Sequence, residues 1–270
     1  MKMNRKIAPI LLLVAAACSA EDKPLQEKLR TQFLNKVVTL RGFYSDSVLK
    51  YGPDGQLTSK AANGPWTLDG KIEITDLKIT DKALKIRGKR IWVEWTKSSD
   101  KNLAMQLVRS TESVDIEGEL GPSPEATIPT LLKAIFVQSD ESMSELVPDL
   151  WKDFFGELPG KSTALTAAAN PGKPERVRVN QGVTQGNLLK RVTPEYPALA
   201  KAARLQGTVL LHAIIGKDGT IKSLRIKQPL GLGVDESAAE AISQWRYRPY
   251  ILNGDPVEVD TTITVNYELH

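Results

Sequence analysis

The chain has 270 residues, 41% of them apolar and 25% charged, with a formal net charge of +4. That length suits one large domain or two ordinary ones, and that apolar content excludes wholesale disorder. Removing Lys2, Arg5 and Lys6, which lie in the amino-terminal segment, takes +4 to +1, and no Lys/Arg stripe interleaved with aromatics marks a nucleic-acid partner.

The first residues, MKMNRKIAPILLLVAAACSAEDKP, run from a basic start through an apolar stretch to small residues. This is the layout of a secretory signal over residues 1–20, and the apolar run is too short for a bilayer span, which needs roughly 20 residues. Cys18 is the only cysteine, so no intrachain disulfide is expected. Two processing routes fit: ordinary cleavage after Ala20, or lipidation of Cys18, whose AAAC context resembles a lipoprotein box with Ala15 in place of the usual leucine. Both predict an exported protein of the periplasm or cell envelope. Membrane contact is expected only if Cys18 is lipidated or the signal is retained.

Residues 21–155 read as one β-rich domain, barrel-like or sandwich-like, with helices at its ends. EKLRTQFLNK predicts a short helix; KVVTLRGFY, KIEITDLKI, KALKIRG, RIWVEW and SVDIEGEL alternate with period two. Asp69-Gly70 predicts a tight turn, and Asp69, Glu73 and Glu94 are assigned to solvated strand faces. Ile91, Val93 and Trp95 share one face of their strand and Trp92 takes the other. Trp66, Trp92 and Trp95 are expected in core packing, with a ligand-holding barrel as the alternative. TIPTLLKAIFVQ and ESMSELVPDLWKDFF then have helical spacing, with Leu146, Leu150, Trp151 and Phe154 on one face. Residues 156–181, rich in Gly, Pro and small residues, predict a flexible linker that leaves the flanking parts separable.

Residues 182–270 predict helix, strand, strand, helix, strand. Pro197 suits a first helical turn, ALAKAARL continues the helix and Gly207 ends it. TVLLHAII and IKSLRIKQ form a hairpin about Asp218-Gly219. GLG at 231–233 reads as a plain loop. Asp235 predicts an N-cap for a helix whose apolar face carries Val234, Ala238, Ala241, Ile242 and Trp245. Pro249 stops it, Asn253-Gly254 turns, and an alternating strand runs to the end.

The ordered set Tyr196-Pro197, Ala200, Gly207, Asp218-Gly219, Trp245-Arg246-Tyr247, Pro249, Asn253-Gly254 and Pro256-Val257 resembles the C-terminal domain of the TonB family, over residues 186 to 269 or so. The resemblance implies a small α+β module, two helices on a three-stranded antiparallel sheet. It implies that the last strand lies at an edge, and that this edge pairs with a short extended segment of an outer-membrane transporter. TonB itself is held in the inner membrane by an amino-terminal helix coupled to a proton-driven motor, and crosses the periplasm on a Pro-rich spacer. This chain departs from that pattern in its short, cleavable-looking apolar start and its folded 21–155 region.

Read from the residues, Tyr196, Gly207 and Trp245 have mainly structural roles: the Tyr-Pro pair sets a helix entry angle, with the hydroxyl in water, and Trp245 locks a helix to the sheet. The expected partner-binding stretch is the last strand. Its odd positions Val259, Thr261, Ile263, Val265 and Tyr267 face the helices, and its even positions Asp260, Thr262, Thr264 and Asn266 face water. Three functions follow as candidates from these features. The first is a protein-binding adaptor of the envelope working by strand addition. The second is a TonB-type energy transducer. The third, an enzyme, has only His212 and His270 to offer as histidines, with no zinc cluster, phosphate loop or nucleophile elbow. No cofactor or metal is expected.

Overall fold

The computed structural model describes residues 22–97, 103–156 and 176–269. The signal segment with Cys18, most of the linker and His270 lie outside the described residues. The first part comprises α1 (Asp22–Phe33), β1 (Val37–Thr39), β2 (Val48–Tyr51), α2 (Trp66–Asp69), β3 (Lys71–Ile79), β4 (Ala83–Lys97), β5 (Leu103–Glu119), α3 (Pro124–Ile135), α4 (Met143–Leu146) and α5 (Asp149–Gly156). The second comprises β6 (Arg176–Arg178), α6 (Gln181–Gly186), β7 (Leu188–Lys190), α7 (Ala198–Ala202), β8 (Gly207–Ile215), β9 (Ile221–Gln228), α8 (Val234–Ser243), β10 (Arg246–Tyr247), β11 (Tyr250–Leu252) and β12 (Asp255–Tyr267).

The alternating segments of the first part form one five-stranded sheet in the order β1-β3-β4-β5-β2, antiparallel except for the parallel pairing of β2 on β5. Its path is open, with β1 and β2 at the ends, so the expected barrel or sandwich is replaced among the described residues by a single sheet with helices packed on it. Two bulges explain why simple alternation does not carry through. One between Ile74 and Asp76 moves the buried set of β3 from Ile72 and Ile74 to Leu77 and Ile79. The other, between Lys89 and Ile91, moves that of β4 from Leu84 and Ile86 to Ile91, Val93 and Trp95. One extra residue changes the parity of everything after it. Arg90 sits at the second bulge, buried, and pairs with Asp69 at 2.9 Å while donating to the carbonyls of Tyr44 and Asp46. Asp69 is therefore neither in a tight turn nor solvated. Burial pushes its carboxyl up to about 6, against the opposing pull of Arg90.

A first core, with Ile72, Ile74, Leu77, Leu84, Ile86 and Ile116 of the sheet beneath Ile128, Leu131 and Ile135 of α3, lies wholly within the first part. The second core does not respect the expected boundary. Trp66, Val93, Trp95 and Trp151 are buried in one cluster with Leu211, Ile226, Leu232, Ala238 and Ile242 of the second part. Trp95 and Trp151 stack at 5.8 Å, and Trp66 lies 5.6 Å from Trp151, with Phe154 and Phe155 edge-on around them. Each buried side chain of this size contributes about 1.5–3 kcal/mol. Of the aromatics expected in core packing, Trp66 and Trp95 are thus in a core, but one shared between the two parts, and Trp92 is partly buried against it. Helix α5 lies along β9, where Asp153 meets Arg225 at 3.6 Å and Lys227 at 3.5 Å.

The backbone joins the parts as well. Beyond Ile91, β4 outruns β3, and its bare edge is met by the loop 230–232. Trp95 N–H donates to Leu230 O and Leu232 N–H to Val93 O, both at 3.1 Å. Gly231 sits between them with φ +98°, and a Cβ there would stand 2.4 Å from the Val93 carbonyl oxygen. The loop read as plain from the sequence is the seam of the molecule.

In the second part β12, β8 and β9 form the expected antiparallel sheet, with β11 paired to the start of β12 and β6 added on its outer side. Helices α7 and α8 and the turn at Asn253-Gly254, both at positive φ, are as expected. Three expectations are corrected. Helix α7 ends at Ala202, with the chain turning at Arg204 (φ 54°), and Gly207 opens β8 instead. Trp245 lies just beyond the end of α8, its N–H bonded to Ile242 O. Asp235 is not an N-cap: that position belongs to Gly233, and the Asp235 carboxylate accepts from Leu230 N–H at 2.8 Å and Gly231 N–H at 2.7 Å, holding the seam loop.

Candidate docking edge

Strand β12 pairs with β8 over nine residues, from Val259 opposite Ile215 to Tyr267 opposite Gly207. Its side chains alternate as expected, with Val259, Thr261, Ile263, Val265 and Tyr267 buried and the even positions less so. The backbone parity, left open by the sequence, is set by one bond: Val179 N–H donates to Asp260 O at 2.9 Å, on the side away from β8. In an extended strand the N–H and C=O of one residue point the same way and those of the next the opposite way. The main-chain groups of Asp260, Thr262, Thr264 and Asn266 therefore face outward.

That outer side is not bare along its length. β6 covers residues 258–260 of it in parallel and α6 lies against the strand, while β11 pairs with residues 255–257 through the Asn253-Gly254 hairpin, on the side that β8 takes from Val259 onward. The expected edge from Val259 is thus occupied at its start by the chain itself. Three acid–base pairs mark the occupied stretch. Glu258 takes Arg176 at 2.9 Å and Lys222 at 2.5 Å, and Asp260 takes His212 at 2.9 Å. Hydrogen bonds from Lys222 and then Arg176 hold the Glu258 carboxyl below its usual range. His212 is used on this strand face, paired with Asp260.

Beyond β6 the strand opens onto a groove of about 610 Å³ lined by Thr264, Val265, Asn266, Tyr267 and Glu268 on one wall and by Gln185, Arg191, Thr193, Pro194, Tyr196 and Trp245 on the other. The motif residues and the end of the expected binding strand, far apart in sequence, meet here. Tyr196 stacks edge-on against Tyr267 at 5.1 Å, and its hydroxyl donates to the Leu205 carbonyl instead of facing water. Trp245 Nε1–H donates to Val192 O at 2.7 Å, with the Arg191 guanidinium 5.7 Å over its ring. These bonds fix both aromatics as walls. Gly219 and Tyr247 explain their neighbours in the motif. Tyr247 N–H donates to Gly219 O, and a Cβ on Gly219 would lie 1.9 Å from Tyr247 O, so only glycine admits the contact that ties the β8–β9 turn to β10. Arg246 and Tyr247 pair with β7, Pro249 lies between β10 and β11, and Asp218 closes the hairpin turn by accepting from Thr220.

Sequence reasoning missed β6, Gly231 and the carboxyl pair Asp235–Glu236. Trp151 Nε1–H donates to Glu236 at 3.0 Å across the shared core. Burial pushes both carboxyls above the ordinary range. Two backbone N–H donors oppose the rise at Asp235, while its charge adds to the rise at Glu236. Among the described residues no cluster of His, Cys, Asp and Glu has the makings of a metal site, and no helix is long and apolar enough to cross a membrane.

A strand with outward main-chain groups beside an aromatic-walled groove defines the class: a small α+β module with a sheet edge beside a groove. Residues 192–269 match the family described as the Gram-negative bacterial TonB protein C-terminal. Two relatives bear the name Protein TonB. That of Vibrio cholerae is 30% identical over 113 residues, 38% of this chain and 46% of the relative. That of Klebsiella pneumoniae is 33% identical over 84 residues, 30% of this chain and 32% of the relative. The chain thus spans under half the length of either. The solution NMR structure of the Pseudomonas aeruginosa TonB CTD aligns at 24% identity with a TM-score of 0.27, covering 30% of this chain and 84% of that one.

Proposed function

We infer that the protein is an exported adaptor of the cell envelope whose C-terminal domain takes up an extended segment of an envelope protein, such as an outer-membrane transporter, as an added strand on β12. Chemistry is not part of this role. The observation that carries the reading is the outward bond at Asp260, which puts the even main-chain groups of residues 260–266 on the side away from β8. Outward-facing strand groups can template another strand, and backbone pairing with a groove for alternate side chains is a recurring peptide-recognition mode. A proline pair tests it. Thr262→Pro removes an outward N–H, so the protein should fold and lose a transporter-derived extended peptide. Thr261→Pro removes an inward one, breaks the ladder to β8 and should unfold the domain. A folded Thr262→Pro protein that binds the peptide at parental affinity would refute the reading.

A TonB-type energy transducer is the second reading, favoured by the names of the two relatives. It needs an anchor, supplied by residues 1–20 if the signal is retained or by a partner. Mass spectrometry of the mature amino terminus separates the cases: Glu21 or a lipidated Cys18 as first residue removes the retained-signal version.

A further inference from the structure

The stretch of edge nearest the sheet's start is already filled. β6 pairs Arg176 with Glu258, Val177 with Val259 and Arg178 with Asp260, in parallel register. Arg176 reaches Glu258 at 2.9 Å, and Arg178 comes within 4.0 Å of Asp260. Val177 between them is only half-buried, and both arginines are exposed. A three-residue strand held by exposed ion pairs and one half-buried apolar side chain has little to keep it in place. Yet it occupies the main-chain groups that a longer incoming strand needs.

We propose that β6 is a resident strand occluding the docking edge, and that the partner which displaces it is an extended peptide carrying cationic side chains at alternate positions with an apolar residue between. The inference rests on the strand-addition reading above and adds an internal competitor and a charge rule to it. The rule follows from what the edge presents. A strand laid in the place of β6 meets Glu258 and Asp260 on its solvent side and Val259 on its buried side. A peptide with carboxylates at the outer positions meets like charge there. Occlusion lowers apparent affinity in proportion to the fraction of molecules with the edge open, so an edge open in fewer than about one molecule in ten weakens binding about tenfold or more.

The test uses the full chain carrying Cys18→Ser and two short fluorescent peptides, one alternating Arg and Val, the other Glu and Val. Arg176→Glu with Arg178→Glu sets carboxylates against Glu258 and Asp260 and frees the edge. Arg176→Cys with Glu258→Cys places a disulfide across the register, and the same protein is measured oxidised and reduced, which controls for folding. The Arg/Val peptide is expected to bind the freed variant about tenfold or more tighter than the parent, to lose binding to the oxidised lock and to regain it on reduction. The Glu/Val peptide should bind none of them. Equal Arg/Val affinity for parent, freed and locked proteins, with the Val177 and Val179 amides still protected from exchange, overturns the occlusion while leaving strand addition standing. Absence of binding to the freed variant and to the reduced lock overturns strand addition and this inference together. Equal affinity for both peptides overturns the charge rule.

Discussion

Gly231→Ala is the sharpest probe of how the two parts are joined. The new Cβ would lie 2.4 Å from Val93 O and 2.5 Å from Glu94 Cα, both backbone atoms of β4 that cannot rotate away. The loop must withdraw, and with it go the bonds Trp95 N–H to Leu230 O and Leu232 N–H to Val93 O. Each such bond is worth about 0.5–1.5 kcal/mol net. The left-handed φ of +98° adds about 1–2 kcal/mol for an L-residue. The expected loss is therefore about 2–5 kcal/mol, read by denaturant titration of the indole fluorescence, since Trp66, Trp95 and Trp151 sit at this seam. Gly254→Ala is the control: its φ is +90° but nothing lies within 4 Å of its Cβ, so it carries the dihedral cost alone. If Gly231→Ala costs no more than Gly254→Ala, the seam does not bear the load assigned to it.

The carboxyl pair makes stability depend on pH. Both folded-state pKa values lie above those of the unfolded chain, so the stabilisation from bound protons is fully present below the ordinary carboxylate range and is lost as pH rises through the raised values, about 8 for Glu236. Glu236→Gln keeps an acceptor for Trp151 and should flatten that alkaline decline, and melting curves from pH 5 to about 9 that fall equally in both proteins would contradict it. Cleaving the chain between Gly156 and Arg176 should leave the two pieces together on size exclusion, because the cluster of Trp66, Trp95 and Trp151 with Leu232 and Ala238 closes over both; pieces that separate and stay folded would restore the picture of independent domains.

What could be read from the sequence was whatever depends on near neighbours. The hairpin at Asp218-Gly219, the Asn253-Gly254 turn and the alternation of β12 are local, since glycine tolerance of positive φ and a period of two are written within a few residues. What depends on a distant partner was not readable. Asp235 before an alanine-rich helix has the pattern of an N-cap, and only the approach of the 230–231 backbone turns its carboxylate elsewhere. Gly231 looks like any loop glycine until β4 arrives beside it. The bulges at Thr75 and Arg90 shift parity without any sequence mark. β6 is three residues at the end of a stretch of small residues, Gly and Pro, and becomes a strand only because β12 offers it an edge. The groove was legible as a list of motif residues, though not as a place: nothing in the spacing of Tyr196, Trp245 and Tyr267 says that they line one groove.

The central claim is that β12 accepts a strand on the side away from β8. Amide hydrogen exchange of the full chain, with and without an extended segment of an outer-membrane transporter, tests it at single residues. The account predicts new protection at the amides of Thr262 and Asn266, whose N–H groups point outward, and little change at Thr261, Ile263 and Val265, which are already bonded to β8. Protection that appears along β9 or β2 instead, with the amides of Thr262 and Asn266 unchanged, would contradict it.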